Sequence, residues 1–196
     1  PPAAPPQLRT AAAAAPVDLA APLPNARSPR NANYSIDARL DPATRTIAAS
    51  EVLTWRNIAG VAAPTLRFHL YYNAWRNTES TWMRERRLGR GGELHERPES
   101  DWGWIDVTAI RLLGAGSSPP VELTSRARFI APDDGNEQDR TVLEVPLDEP
   151  VAPGQTTNVQ IEWTARVPRT FSRTGALGNF YFLAQWFPKI GVLEDT

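Results

Sequence analysis

The sequence predicts a mostly-β domain, an antiparallel β-sandwich or saddle with one short helix. Apolar and polar residues alternate with period two in several short runs, and clusters of turn-forming residues separate these runs. This arrangement favours antiparallel sheets over repeated βαβ units. The 196 residues are 41% hydrophobic and include seven Trp, six Phe and four Tyr, which is enough apolar surface for one sizeable core.

Six segments carry the strand pattern. The clearest is 159–167, where five apolar residues alternate with four polar ones. In the second segment, Glu51 interrupts the apolar face. Turn clusters at 41–44, 132–136 and 152–155 separate neighbouring strands. The predicted strands are 34–40, 46–57, 66–70, 105–109, 143–147 and 159–167.

One segment, 77–88, is predicted to be helical. It contains no proline, and Asn77 or Thr78 is the predicted N-cap. The glycines that follow Leu88 end the pattern and open a polar loop that extends to Asp101.

Residues 1–32 differ in composition from the rest of the chain, because Pro and Ala dominate them. Proline fixes φ and lacks a backbone donor, so the segment is predicted to be a disordered or extended tether ahead of a folded domain at 33–196. The tether would follow a removed signal or anchor. The alternative is an extended arm that docks on another domain.

Charge and composition exclude several functions. The formal net charge is -1 and the pI is about 6.2, so no overall field favours nucleic acid or an anionic membrane. No apolar run approaches the roughly 20 residues of a transmembrane helix. There is no cysteine, hence no disulfide or thiolate site. The Arg, Ala and Pro bias is typical of GC-rich bacteria. The composition is compatible with a periplasmic, secreted or membrane-tethered location of the protein.

Neither histidine supports a catalytic or metal site. His69 falls on the polar face of a predicted strand, and His95 lies in a glycine-flanked loop between two glutamates. A zinc site needs three or four converging ligands, and the sequence has no His-Glu-x-x-His. It also lacks the Gly-x-Ser-x-Gly of a serine nucleophile. We therefore predict no catalytic or metal-binding residue in this chain.

The tryptophans offer one binding hypothesis. Trp102 and Trp104 are separated by one glycine and could stack on sugar rings. Large aromatic side chains lie more often in cores and interfaces, so that interpretation is favoured over a ligand platform.

The order of the predicted strands resembles the amino-terminal domain of the aminopeptidase N family of zinc metallopeptidases over residues 33–189. Ala184 stands where that family usually has Thr, and 186–191 also departs from its pattern, which indicates a divergent bacterial branch. The segments that carry the resemblance are 34–41 with its final Leu-Asp, 46–57, 66–70, the turn and strand 150–163, and 178–185, which is similar to a strand ending in Thr-Gln.

The resemblance implies a noncatalytic domain that shapes the substrate cleft of a peptidase. Its partners would be the catalytic domain of the same protein and a peptide substrate. Zinc would lie in that catalytic domain, with no cofactor on this chain. Gln185 would accept a hydrogen bond from the α-amino group of the substrate.

The resemblance also implies that the domain continues past Thr196. The last strand would then leave an unpaired aromatic edge at 180–187, and the fragment should self-associate. Two other functions stay open, a free-standing β-sandwich binding module for carbohydrate and a structural spacer.

Overall fold

The computed structural model describes residues 30–89, 92–114, 118–169 and 173–193. They form the mostly-β, antiparallel fold that the sequence predicts, with one α-helix in this part of the chain. The strands are β1 (Ala32–Asp41), β2 (Thr46–Arg56), β3 (Ala63–His69), β4 (Trp104–Leu113), β5 (Val121–Glu122), β6 (Arg128–Ile130), β7 (Val142–Val151), β8 (Thr156–Arg166), β9 (Gly175–Leu177), β10 (Phe180–Phe182) and β11 (Lys189–Ile190), and the helix is α1 (Thr81–Leu88).

The strands form two main sheets and a hairpin. The five-stranded sheet has the order β1-β2-β8-β4-β5, the four-stranded sheet has the order β11-β3-β7-β6, and β9 pairs only with β10. Every pairing is antiparallel. The predicted tether lies outside the described residues up to position 29, and β1 begins at its last residue, Ala32.

One hydrophobic core joins the two sheets, as in a β-sandwich. Successive side chains of a strand point to opposite faces, so the alternation seen in the sequence places every second residue in this core. The five-stranded sheet contributes Ile47, Leu53, Val159, Ile161 and Trp163, and the four-stranded sheet contributes Leu66, Phe68, Leu143 and Val145.

The helix begins later than predicted. Ser80 is the N-cap of α1, and its hydroxyl accepts a hydrogen bond from the Met83 amide at 3.2 Å. Asn77 instead closes the preceding turn, because its Oδ1 accepts from the amides of Glu79 and Ser80. The predicted cap at Asn77 or Thr78 is therefore wrong. No helix among the described residues is long and apolar enough to cross a bilayer.

The segment after β10 returns to the core. The Trp186 ring lies 5.4 Å from that of Trp163, and the Phe187 ring lies 5.1 Å from that of Tyr34. The amide of Ile190 donates to the Tyr34 hydroxyl at 2.9 Å. The prediction that Trp186 and Phe187 belong to an unpaired edge is therefore wrong, because both rings pack on the sandwich.

Candidate functional site

The β9–β10 hairpin presents one face to the domain and one to solvent. Leu177 pairs with Phe180 across a two-residue turn, in which Gly178 has a φ of 57° that glycine adopts without strain. Ala176 and Tyr181 form the next pair and face inward, where Ala176 is buried. The outward face therefore carries Leu177, Phe180 and Phe182.

This outward face exposes three large apolar side chains next to one another. Leu177 is 72% exposed, Phe180 67% and Phe182 56%. Together with Arg173, Thr174, Gly175 and Ala184, these side chains line an open cavity of about 480 Å³. Among the described residues of that lining, Arg173 is the one that carries a charge. The geometry suits a ligand with an apolar surface and a polar rim.

A buried hydroxyl pair fixes the base of the hairpin. Thr174 is buried, and its Oγ1 donates to the Phe182 carbonyl at 2.9 Å and accepts from the Ala184 amide at 3.2 Å. The Tyr72 hydroxyl lies 2.9 Å from the same Oγ1 and donates to it. Burial raises the pKa of Tyr72 to about 12. These bonds hold the hairpin on the core without using its outward face.

Replacing Tyr72 by phenylalanine should loosen the hairpin. Thr174 Oγ1 would lose a buried donor, and we expect the free energy of unfolding to fall by about 1–3 kcal/mol. The amides of Phe182 and Ala184 should exchange faster with solvent. Denaturant titration and hydrogen exchange measure the two effects. Tyr181→Phe is the matched control, because its hydroxyl bonds the Pro42 carbonyl in an exposed position. Equal effects of the two variants would contradict the anchoring role.

Gln185 lies beyond the hairpin, with an exposed side chain and a φ of 56°. No contact among the described residues tests its predicted role in binding a substrate amine. It is not among the residues that line the cavity.

The two histidines lie on separate elements. His69 stacks on Tyr71 with ring centroids 3.7 Å apart, and burial lowers its pKa. His95 donates from Nε2 to the Met83 carbonyl at 2.9 Å, which ties the short 3-10 helix Gly92–Glu96 to α1. Among the described residues, no three His, Asp or Glu side chains converge on a position for a metal ion.

Trp102 and Trp104 do not form an open platform. Trp102 packs against the core, and its buried Nε1 has no acceptor among the described residues. Trp104 is half-buried, with the Arg76 guanidinium 6.0 Å from its ring. Phe180 and Phe182 are much more exposed, at 67% and 56%. The signal that could have found them is their i, i+2 spacing directly after a Gly-Asn turn.

No family model and no curated protein matches this chain. Among solved structures, the chain is similar to the CBM3a-L domain with flanking linkers from scaffoldin cipA of the cellulosome of Clostridium thermocellum. The sequence identity is 11% and the TM-score 0.33, and the alignment covers 78% of this chain and 80% of that one. The chain also matches the family 3a carbohydrate binding module from the same scaffoldin, at 13% identity and a TM-score of 0.28, over 81% and 90%. These values are too low to transfer a ligand.

The resemblance to the aminopeptidase N family is wrong. No family model matches the chain, and no curated protein of that family matches it either. The motifs behind it, such as Leu66-Arg67-Phe68-His69-Leu70, show only the alternation and turn chemistry that any antiparallel sheet requires. The interpretation as a metallopeptidase domain, with its zinc and its peptide substrate, is therefore withdrawn.

Proposed function

We propose that this chain is a binding module that holds a carbohydrate on the outward face of the β9–β10 hairpin. The observation that carries the proposal is the position of Phe180 and Phe182 on one exposed face, two residues apart on the same strand. Side chains at this spacing lie about 7 Å apart, on the scale of neighbouring sugar rings.

The chemistry of this face supports a sugar ligand. A pyranose ring combines an apolar C–H surface with a rim of hydroxyl groups, and the C–H surface packs on the negative face of an aromatic ring. Arg173 borders the apolar surface and supplies donors for hydroxyl oxygens.

Preorganisation also supports binding at this hairpin. The bonds through Thr174 hold the strand that carries Phe180 and Phe182, so ligand binding orders little of the backbone. Phenylalanine has only two side-chain torsions to fix, which keeps the entropic cost of binding low.

Replacing Phe180 or Phe182 by alanine should weaken carbohydrate binding. Loss of one stacked ring costs roughly 1–3 kcal/mol, so we expect each association constant to fall about tenfold or more. The measurement is depletion of the protein by insoluble cellulose, chitin and xylan, with affinity electrophoresis for soluble glycans.

Phe129→Ala is the matched control. Phe129 is 37% exposed and lies on β6, in the four-stranded sheet and outside the cavity lining. It should leave binding unchanged. The proposal fails if no polysaccharide binds, or if Phe129→Ala weakens binding as much as the hairpin variants do. Capture of a protein by the hairpin face, with no glycan bound, would identify a docking surface instead.

A further inference from the structure

The free edge of β1 has unused hydrogen-bonding groups. β1 is the edge strand of the five-stranded sheet, and β2 is its only partner among the strands that the structure describes. The Asn31 carbonyl accepts from the Arg56 amide at 2.8 Å, so the odd-numbered residues of β1 direct their backbone groups to β2. The even-numbered residues, including Ile36, Ala38 and Leu40, direct theirs away from the sheet. No described residue pairs with these groups.

The sequence along this edge is complementary to itself. Around Ala38, Asp37 and Arg39 are opposite in charge and Ile36 and Leu40 are both apolar. Asp37 and Arg39 are exposed, and neither forms an ion pair with another described residue. Leu40 is also exposed, although it lies on the apolar face of the strand.

We propose that two copies of this chain pair antiparallel through β1, with the two-fold axis at Ala38. The two Ala38 residues exchange N–H···O=C bonds, and Ile36 of each copy does the same with Leu40 of the other. Asp37 then faces Arg39 of the second copy at a non-hydrogen-bonded position, where opposed side chains are closest. The two sheets become one continuous sheet with a closed, isologous interface.

The observations favour a second copy over an unrelated partner. In this register the opposed side chains are complementary in charge and in apolar character. A shift by two residues, the smallest that keeps the outward backbone groups paired, would set Asp37 against Asp37 or Arg39 against Arg39 of the second copy. One strand from each copy buries less than the roughly 1,200 Å² of a stable interface, so the dimer is weak and concentration-dependent.

Sedimentation velocity of the full chain, from micromolar to millimolar concentration, tests the pairing. We expect the wild type to dimerise. Residue 37 of each copy faces residue 39 of the other, so Asp37→Arg or Arg39→Asp places like charges opposite one another at both symmetric positions. Each variant should lower the association constant at least about tenfold. A mixture of the two variants should form the heterodimer. Glu137→Arg makes the same charge change at an exposed position outside β1 and should have no effect.

Ala38→Pro tests the backbone bonds. It removes an N–H that points away from β2, so no bond within the sheet is lost, and proline is tolerated at such edge positions. The dimer should disappear while the circular dichroism spectrum stays the same. A monomeric wild type overturns the proposal, as does a dimer that survives the charge reversals or Ala38→Pro. A dimer lost in Phe180→Ala alone assigns association to the hairpin and likewise overturns it.

Discussion

Replacing Glu51 by leucine should stabilise the protein strongly at alkaline pH and remove most of the pH dependence of its stability above pH 6.5. Glu51 lies on β2, is fully buried, and has no hydrogen-bond partner among the described residues for either carboxylate oxygen. Its register partners are Ile36 on β1 and Ile161 on β8. Burial raises the pKa of Glu51 from 4.5 to about 8, because an unpaired charge is costly in this apolar environment.

The sign of the effect follows from the raised pKa. Between pH 4.5 and about 8, Glu51 is protonated in the native state and ionised in the unfolded state. The stabilising contribution is complete below pH 4.5, falls as pH rises through this interval, and is lost above it. Linkage over the whole interval amounts to roughly 5 kcal/mol. Burial lowers the pKa of His69 below its ordinary 6.5, so His69 makes stability rise with pH below 6.5. The decisive interval for Glu51 therefore lies between pH 6.5 and about 8.

Urea denaturation at a series of pH values measures this effect. Glu51→Gln separates charge from polarity, because it removes the titration but keeps a buried polar group. Both Glu51 variants should give a nearly flat profile above pH 6.5. Glu137→Gln is the exposed control and should follow the wild type. A flat wild-type profile above pH 6.5 would contradict the prediction.

The strands were predictable because their signal is local. Alternation along 159–167 requires no knowledge of the partner strands, and the structure places β8 over nearly the same residues. In the segment 46–57, the interruption of the apolar face by Glu51 was also visible, and the structure confirms that this side chain is buried. Its lack of a partner was not predictable, because the atoms around it come from distant segments of the chain.

The aromatic residues near the carboxyl terminus show where local reasoning fails. Phe180, Phe182, Trp186 and Phe187 look alike in the sequence, but the first two are exposed and the last two pack on the core. Trp186 packs on Trp163, which is distant in the sequence, so the position of Trp186 cannot be read from its neighbours in the chain. The candidate binding site is therefore the β9–β10 hairpin, and not Trp102 and Trp104, which the sequence offered.

The error in the family interpretation has a related cause. Strand alternation and Pro-Gly turns recur in every antiparallel β-protein, so their order carries little information about descent. Function depends on a few side chains in a site, and no catalytic motif accompanied those patterns.

Asn57 is the counterpart of Glu51, a fully buried polar side chain whose hydrogen bonds are all made. Its Nδ2 donates to the carbonyls of Val61 and Val151 at 2.8 and 2.9 Å, and its Oδ1 accepts from the Ala59 amide at 3.0 Å. The side chain thereby joins the connection after β2 to the end of β7.

Asn57→Ala should lower the free energy of unfolding by about 3–5 kcal/mol, because it removes three side-chain hydrogen bonds, two of them buried. Asn57→Asp should not restore stability, since a carboxylate keeps the acceptor for Ala59 but sets a negative charge against two carbonyl oxygens. Asn158→Ala is the matched control, because Asn158 makes one exposed bond, from the Thr54 hydroxyl at 2.7 Å; it should cost less than about 1 kcal/mol. Urea denaturation of the three variants at one pH measures the differences. Equal losses for Asn57→Ala and Asn158→Ala would show that the bonds of Asn57 contribute no more than a surface contact.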